Sequence, residues 1–383
     1  MLGVYFYNSK KSTTTNTGDT NFYQKFNPFG TSTKVDNGGD STPDTNIVNQ
    51  GGETSQETSR LHKLTDFAIA GAVFFEDTRD EKAVPSLRYV ERATGHVYQM
   101  YLDTKVTGKI SNSTIPSVYE AIFDGKASSI IYRYLSSDNQ SITSFLATLG
   151  GKTSSFLNSD ILNISLSPNK NKFFSIIENK NGVIGTVKSF DETKTNQIFT
   201  SAFSEWLPQW VTEQNIYLTT KPSYLVDGVV FVLNTTNGTL SKIFGGVKGL
   251  TTLANSDGTL ILYGASLETG PKLNIFDIKN HTSVDLDKYG LPEKCIWSND
   301  KINVYCAVPN TVVGAQYPDS WYQGITSFED FFIKINTQTR EASTLANSVN
   351  ETPIDAINLI LNKNEDILFF TNKKDGTLWS LEL

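Results

Sequence analysis

The chain has 383 residues and a formal net charge of −7, from 33 basic and 40 acidic residues. Nucleic-acid binding needs a basic surface, so we expect no nucleic-acid partner. The chain has two cysteines and three histidines. Zinc and iron–sulfur motifs need more Cys or His residues at close spacing, so we expect neither metal nor cofactor.

The N-terminal part differs in composition from the rest of the chain. Residues 1–7 are apolar and are followed by Lys10 and Lys11. Seven residues cannot span a bilayer, which takes about twenty, so we interpret them as the remnant of a membrane anchor or as a short leader. Residues 8–60 are rich in Thr, Ser, Asn and Gly. Such a segment buries little apolar surface and predicts a disordered linker, or stalk.

Residues 61–383 show an internal repeat of short apolar runs divided by polar turns. The clearest copies begin at Ile164, Leu250 and Ala356. Seven units of about 46 residues fit the period of a four-stranded propeller blade. Asp257-Gly258 and Asp375-Gly376 supply the positive φ that tight hairpins need. The sequence therefore predicts an all-β protein, a seven-bladed β-propeller.

The two ends of this region predict how the ring closes. The last unit stops after its third strand, at Leu383, and a strand-like segment near Leu61–Leu64 has no other partner. We expect this segment to complete the last blade, because an open ring would leave unpaired strand edges.

Degenerate hairpin motifs connect the repeat to known families. They are Ser-Pro-Asn at 167–169, Asn-Ser-Asp-Gly at 255–258 and Ser-Asn-Asp at 298–300. On these motifs the chain resembles TolB-like and WD40-like propeller repeats, although no copy is perfect. On residues 88–98, 203–210 and 291–295 it also resembles membrane-anchored propellers of candidate-phylum bacteria. That resemblance implies an extracytoplasmic location in the cell envelope and no particular ligand.

The sequence contains no catalytic constellation. A Gly-x-Ser-x-Gly nucleophile elbow is absent. His62, His96 and His281 fall in predicted turns or edge strands, so we assign no catalytic residue. We therefore interpret the chain as a monomeric, non-catalytic binding or scaffolding module with a protein or glycan partner. The alternative is an extracytoplasmic enzyme that processes glycans or peptides with carboxylates in the central funnel.

One long insertion is the candidate binding site. It runs from Pro309 to Phe328 within the sixth unit and contains Tyr317, Trp321 and Tyr322. Ordinary hairpins need two to five residues, so a loop of about twenty predicts a function or a packing role. The three aromatic residues form either a surface that contacts a partner or a plug that folds onto the propeller.

Cys295 and Cys306 flank a predicted hairpin in the same unit. A turn centred between Asp300 and Lys301 places these cysteines opposite each other, within disulfide range. We predict a bridge in an oxidising compartment, with two reduced, packed thiols as the alternative.

Overall fold

The computed structural model describes residues 60–136, 141–151, 154–158, 160–191, 194–312, 316–346 and 353–383. The predicted anchor remnant, residues 1–7, lies outside this part of the chain, as does the predicted stalk except for Arg60. Within the described residues, no helix is long and apolar enough to cross a membrane.

The described residues form seven antiparallel sheets of four strands each, which are the blades of a β-propeller. The first strand in the chain, β1 (Leu61–Lys63), belongs to the last blade. Blade 1 comprises β2 (Ile69–Arg79), β3 (Lys82–Glu91), β4 (Val97–Tyr101) and β5 (Thr107–Lys109). Blade 2 comprises β6 (Val118–Phe123), β7 (Ser129–Leu135), β8 (Ile142–Thr148) and β9 (Ser154–Phe156). Blade 3 comprises β10 (Ile161–Leu166), β11 (Lys172–Asn179), β12 (Gly182–Ser189) and β13 (Thr195–Ser201).

The remaining blades repeat this plan. Blade 4 comprises β14 (Trp206–Thr212), β15 (Asn215–Thr220), β16 (Asp227–Asn234) and β17 (Leu240–Lys248). Blade 5 comprises β18 (Thr251–Ala254), β19 (Leu260–Leu267), β20 (Gly270–Asp277) and β21 (Thr282–Tyr289). Blade 6 comprises β22 (Cys295–Trp297), β23 (Asn303–Pro309), β24 (Asp330–Asn336) and β25 (Ala342–Ala346). Blade 7 comprises β26 (Ala356–Leu361), β27 (Ile367–Asn372), β28 (Leu378–Glu382) and β1.

Blade 7 joins the two ends of the propeller region. Strand β1 pairs antiparallel with β28, with Leu61 opposite Leu381 and Lys63 opposite Trp379. Both the predicted seven-bladed fold and the predicted closure are confirmed. The N-terminal strand supplies the edge that the C-terminal hairpin lacks, so the sheet is complete without a neighbouring molecule.

Apolar side chains from adjacent blades pack together between the sheets. Trp206 and Trp210 of blade 4 are buried in one cluster with Phe174 of blade 3, as their spacing around Pro208 predicts. The first strand of each blade is the innermost, and these strands approach closely. A Cβ on Gly71 in β2 would lie 2.1 Å from the carbonyl oxygen of Ala121 in β6. Glycine therefore permits the contact between blades 1 and 2.

Candidate functional site

The propeller has two faces because every blade is an antiparallel meander. Loops between second and third strands lie on one face, together with the connections from blade to blade. The insertion after β23 belongs to this face. We call residues 310–312 and 316–329 the cap and this surface the cap face. Loops between first and second strands, and between third and fourth strands, form the opposite face.

The aromatic residues of the cap are packed inside it. The cap contains a short helix, α1 (Asp319–Tyr322). Tyr317 is 2% exposed and Trp321 is 1% exposed, and both pack in a cluster with Leu291, Phe328 and Ile357. Tyr317 and Trp321 are therefore packed onto the propeller, as in the second alternative, and their contact with a partner stays a prediction. Burial of their rings against apolar neighbours gives the physical reason, since it offsets the ordering entropy of the loop.

Tyr322, the third predicted binding residue, is half-buried. Its hydroxyl donates a hydrogen bond to Glu293 Oε1. Burial raises the pKa of Glu293, and the second oxygen of this carboxyl, Oε2, has no hydrogen-bond partner within the described part of the chain. Whether the cap contacts a partner is not tested by this packing and stays a prediction.

Hydrogen bonds tie the cap to blades on opposite sides of the ring. Asp319 Oδ2 accepts a hydrogen bond of 2.6 Å from the backbone amide of Tyr224 in blade 4. The carbonyl oxygen of Tyr317 accepts one of 2.5 Å from Ser266 Oγ in blade 5. In blade 7, the ammonium of Lys373 donates to the carbonyl oxygen of Trp321. Blades 4 and 7 are three positions apart in a ring of seven, so the cap crosses the cap face.

A fully buried ionic cluster lies beneath the cap. Lys294 Nζ lies 2.8 Å from Asp330 Oδ2 and also contacts Asp355 Oδ1, and all three side chains are fully buried. Trp321 Nε1 donates to Asp355 Oδ2 at 3.0 Å, and the amide of Phe328 donates to the same oxygen at 3.1 Å. The cluster therefore joins the cap to the starts of blades 6 and 7.

The two carboxylates of this cluster differ in acidity. Burial raises the pKa of Asp330 to about 6, against the attraction of Lys294. Burial also opposes the ionised form of Asp355, but Lys294 and the hydrogen bonds from Phe328 and Trp321 hold its pKa below the usual value. With no exposed surface, neither carboxylate can touch a substrate in this structure, and the cluster acts as an anchor for the cap.

The two cysteines lie where the hairpin predicts. Cys295 in β22 is directly opposite Cys306 in β23, and their Cα atoms are 4.1 Å apart. The structure joins the two sulfur atoms, which are 2.09 Å apart, as a disulfide. Cys295 directly follows Lys294, so the bridge is next to the buried cluster. The redox state of the pair in solution stays a prediction.

Five exposed apolar side chains lie on the cap or beside it, in blades 4 and 5. Leu225 and Val226 follow Tyr224, Leu267 follows Ser266, and Ile325 belongs to the cap itself. Tyr289 is the fifth residue of the set. A Cβ on Gly270 would lie 3.4 Å from the Tyr289 ring and 2.4 Å from Val312, a residue of the cap, so Tyr289 lies near the cap. These residues expose 37–73% of their surface. We call Leu225, Val226, Leu267, Tyr289 and Ile325 the cap rim.

Carboxylates in the central channel are paired with cations. Glu76 and Glu120 line channel cavities. Glu76 Oε2 lies 2.9 Å from Lys363 Nζ, and Glu120 Oε2 lies 2.7 Å from Arg133 Nη1. In the residues that the structure describes, no group of three or more His, Cys, Asp or Glu side chains could hold a metal ion.

The three histidines lie in different blades. His62 belongs to blade 7 and His96 to blade 1, whereas His281 is in a turn of blade 5.

Comparisons with known proteins bear on the fold. No family model matches the sequence, and no curated protein matches it. Oligogalacturonate lyase from Vibrio parahaemolyticus superposes with a TM-score of 0.59 at 11% identity, over 86% of this chain and 94% of the other.

Two further solved structures are similar at the same low identity. The β-propeller domain of the Trilobed protease from Pyrococcus furiosus, described as having an open velcro topology, gives a TM-score of 0.52 at 10% identity, over 81% of this chain and 93% of the other. TolB from Acinetobacter baumannii gives 0.45 at 11% identity, over 73% of this chain and 80% of the other. The likenesses to the lyase and the protease domain show a β-propeller fold, here closed by pairing of β1 with β28.

Proposed function

We propose that this chain is a non-catalytic binding propeller displayed outside the membrane, and that a partner protein docks on the cap rim. The observation that carries the proposal is the set of five exposed apolar side chains on and beside one packed platform. Exposed apolar patches of this kind mark interaction sites, because burying them against a partner removes apolar surface from water.

Two features support an extracytoplasmic location. A disulfide between Cys295 and Cys306 persists in oxidising compartments and is rare in the reducing cytosol. The apolar residues 1–7 followed by a polar linker suit a membrane tether. We therefore propose that the propeller is held at the cell envelope as a monomer.

Anchoring of the cap favours binding through its rim. Hydrogen bonds from Tyr224, Ser266 and Lys373 hold the cap in one conformation. Side chains on a rigid platform lose less conformational entropy when a partner binds, which leaves more of the burial energy for affinity.

Photo-crosslinking tests this proposal. A photoreactive residue placed at Leu267 should capture one partner from an extract of the cells that make the protein. The captured protein is then purified and its affinity measured. The double variant Leu225→Asp/Ile325→Asp should weaken binding by about 2 kcal/mol or more, because it places charges in the apolar contact.

A matched double variant controls for surface charge. Val106 and Ile110 are 59% and 45% exposed at the outer edge of blade 1. Val106→Asp/Ile110→Asp should leave the affinity unchanged. Equal affinities of the wild type and the cap-rim variant would reject the cap rim as the docking surface.

An enzyme is the second candidate, and Glu293 is the observation that favours it. Its half-buried carboxyl has a raised pKa, and one of its oxygens has no hydrogen-bond partner among the described residues, as in a general acid. Glycan or peptide hydrolysis by the wild type that is lost in Glu293→Gln, with the fold retained, would favour the enzyme over the binding module.

A further inference from the structure

A cavity of about 830 Å³ lies between blades 2 and 3, on the face opposite the cap. Its walls are the loops after β6 and β10, the end of β8, the start of β9 and the end of β12. The volume is within the range of sites that bind small molecules. None of the cap-rim residues reaches it, so its role is separate from the docking surface proposed above.

The loops around this cavity are held firmly. Asp124 accepts hydrogen bonds from the amides of Ser128 and Ser129, at 2.7 and 2.9 Å, and a third from Ser128 Oγ. The amide of Gly125 donates to the carbonyl oxygen of Lys170 at 3.0 Å and so joins blade 2 to blade 3. A Cβ on Gly125 would lie 2.6 Å from the carbonyl oxygen of Asn169, so this close joint requires glycine. The cavity is therefore preformed.

Three lysines line the cavity without a matching set of carboxylates. Lys126, Lys170 and Lys188 take part in no ion pair between described residues. Two acidic residues also line it. The carboxylate of Asp124 is occupied by its three donors, and Asp191 is exposed at the rim. The lining of the cavity thus contains three lysines that form no ion pair with a described carboxylate.

Lys170 connects this cavity to the central channel. The same residue lines two channel cavities of about 250 and 460 Å³. Its backbone is in the left-handed region, with φ of 55°, and hydrogen bonds of that backbone to Gly125 and Ser167 fix its position. The surrounding walls lower the pKa of Lys170 by desolvation, although its side chain still reaches solvent. A ligand at Lys170 can therefore extend in two directions.

We propose that this cavity binds an acidic oligosaccharide whose carboxylates contact Lys126, Lys170 and Lys188. Hydroxyl and amide groups of Thr148, Ser154, Ser155 and Asn171 line the same space, and such groups both donate to and accept from sugar hydroxyls. Buried Phe190 and Leu146 add apolar wall against which the C–H faces of a sugar pack. A cavity of about 830 Å³ has room for several sugar units.

Binding of defined hexasaccharides to the full-length protein tests this proposal by calorimetry. Unsulfated chondroitin hexasaccharide carries carboxylates, maltohexaose is neutral, and hexaglutamate offers the same kind of charge on a peptide. We expect the acidic sugar to bind at least tenfold more tightly than either of the others, and its affinity to fall as salt is added.

Substitutions of single charged residues test whether the acidic sugar binds in this cavity. Lys170→Asn should weaken binding of the acidic sugar at least tenfold while it keeps the melting temperature, because asparagine tolerates the left-handed region. Lys188→Gln should act in the same direction, and Asp191→Asn should strengthen binding about threefold by removing a repulsive charge. Lys180→Gln is the matched control, since Lys180 is exposed at the turn after β11 on the other face of blade 3.

Three results would overturn the proposal. If the acidic sugar does not bind, the cavity is not a binding site for acidic oligosaccharides. An equal loss of affinity in Lys180→Gln would show that net charge alone attracts the ligand. Hexaglutamate binding as tightly as the acidic sugar would show that the cavity recognises acidic chains and not carbohydrate.

Discussion

Replacing Trp321 with alanine tests the packing of the cap. The indole is 1% exposed, packs with Leu291, Phe328 and Ile357, and donates to Asp355. Truncating a buried tryptophan costs about 3–5 kcal/mol. A domain of about 320 residues unfolds with an entropy of roughly 0.7 kcal/mol per kelvin, so the melting temperature should fall by about 4–7 °C.

Differential scanning calorimetry measures this shift, with Ile325→Ala as the control from the same loop. Ile325 is 73% exposed, so its truncation should change the melting temperature by less than about 1 °C. A Trp321→Ala protein that melts within a degree of the wild type would refute the packed cap. It would also revive the interpretation of Trp321 as a direct contact to a partner.

The remaining predictions concern the anchor, the bridge and the closure. Burial raises the folded-state pKa of Asp330 to about 6 from an ordinary value near 3.8, so folding takes up a proton between these pH values. The unfolding free energy of the wild type, measured relative to Asp330→Asn in urea, should therefore fall by about 2 kcal/mol as the pH rises from 4 to 7; a constant difference would contradict the assignment. Thiol titration of unreduced, denatured protein should find no free thiol, and two free thiols would disprove the bridge between Cys295 and Cys306. Deletion of residues 60–65 should lower the melting temperature far more than deletion of residues 8–55, because β1 completes blade 7; equal effects would count against the closure.

Local sequence patterns were sufficient to predict the fold. Each blade is built from neighbouring segments, so alternating apolar residues and turns such as Asp257-Gly258 report directly on its hairpins. Closure was predictable because a blade with three strands leaves an obvious gap. The opposition of Cys295 and Cys306 followed from the same local rule, since one hairpin contains both residues.

Contacts between blades could not be predicted from the same patterns. Lys294 and Asp355 are 61 residues apart, and no periodicity indicates that the starts of β22 and β26 share a buried ion pair. The motif Leu-Pro-Glu-Lys-Cys at 291–295 contributes to the sequence analysis only through a family resemblance. In the structure, Lys294 lies beneath the cap and Glu293 contacts Tyr322. The lysine-lined cavity could not be predicted for the same reason, because Lys126 and Lys170 come together only when blades 2 and 3 pack against each other.

The cap shows why a long aromatic loop left two interpretations open. The length of a loop determines how much entropy is lost when the loop is ordered, but it does not show which side chains offset that loss. In the structure, Tyr317 and Trp321 offset it by burial, and Lys373 and Asp355 fix the orientation of α1. Residues that anchor the loop are buried, whereas Ile325 and Leu225 are exposed to solvent. Under the proposed function, the packing role and the binding role belong to different residues of one surface, and loss of the anchor at Trp321 should weaken binding at the cap rim only indirectly, through loss of the anchored platform.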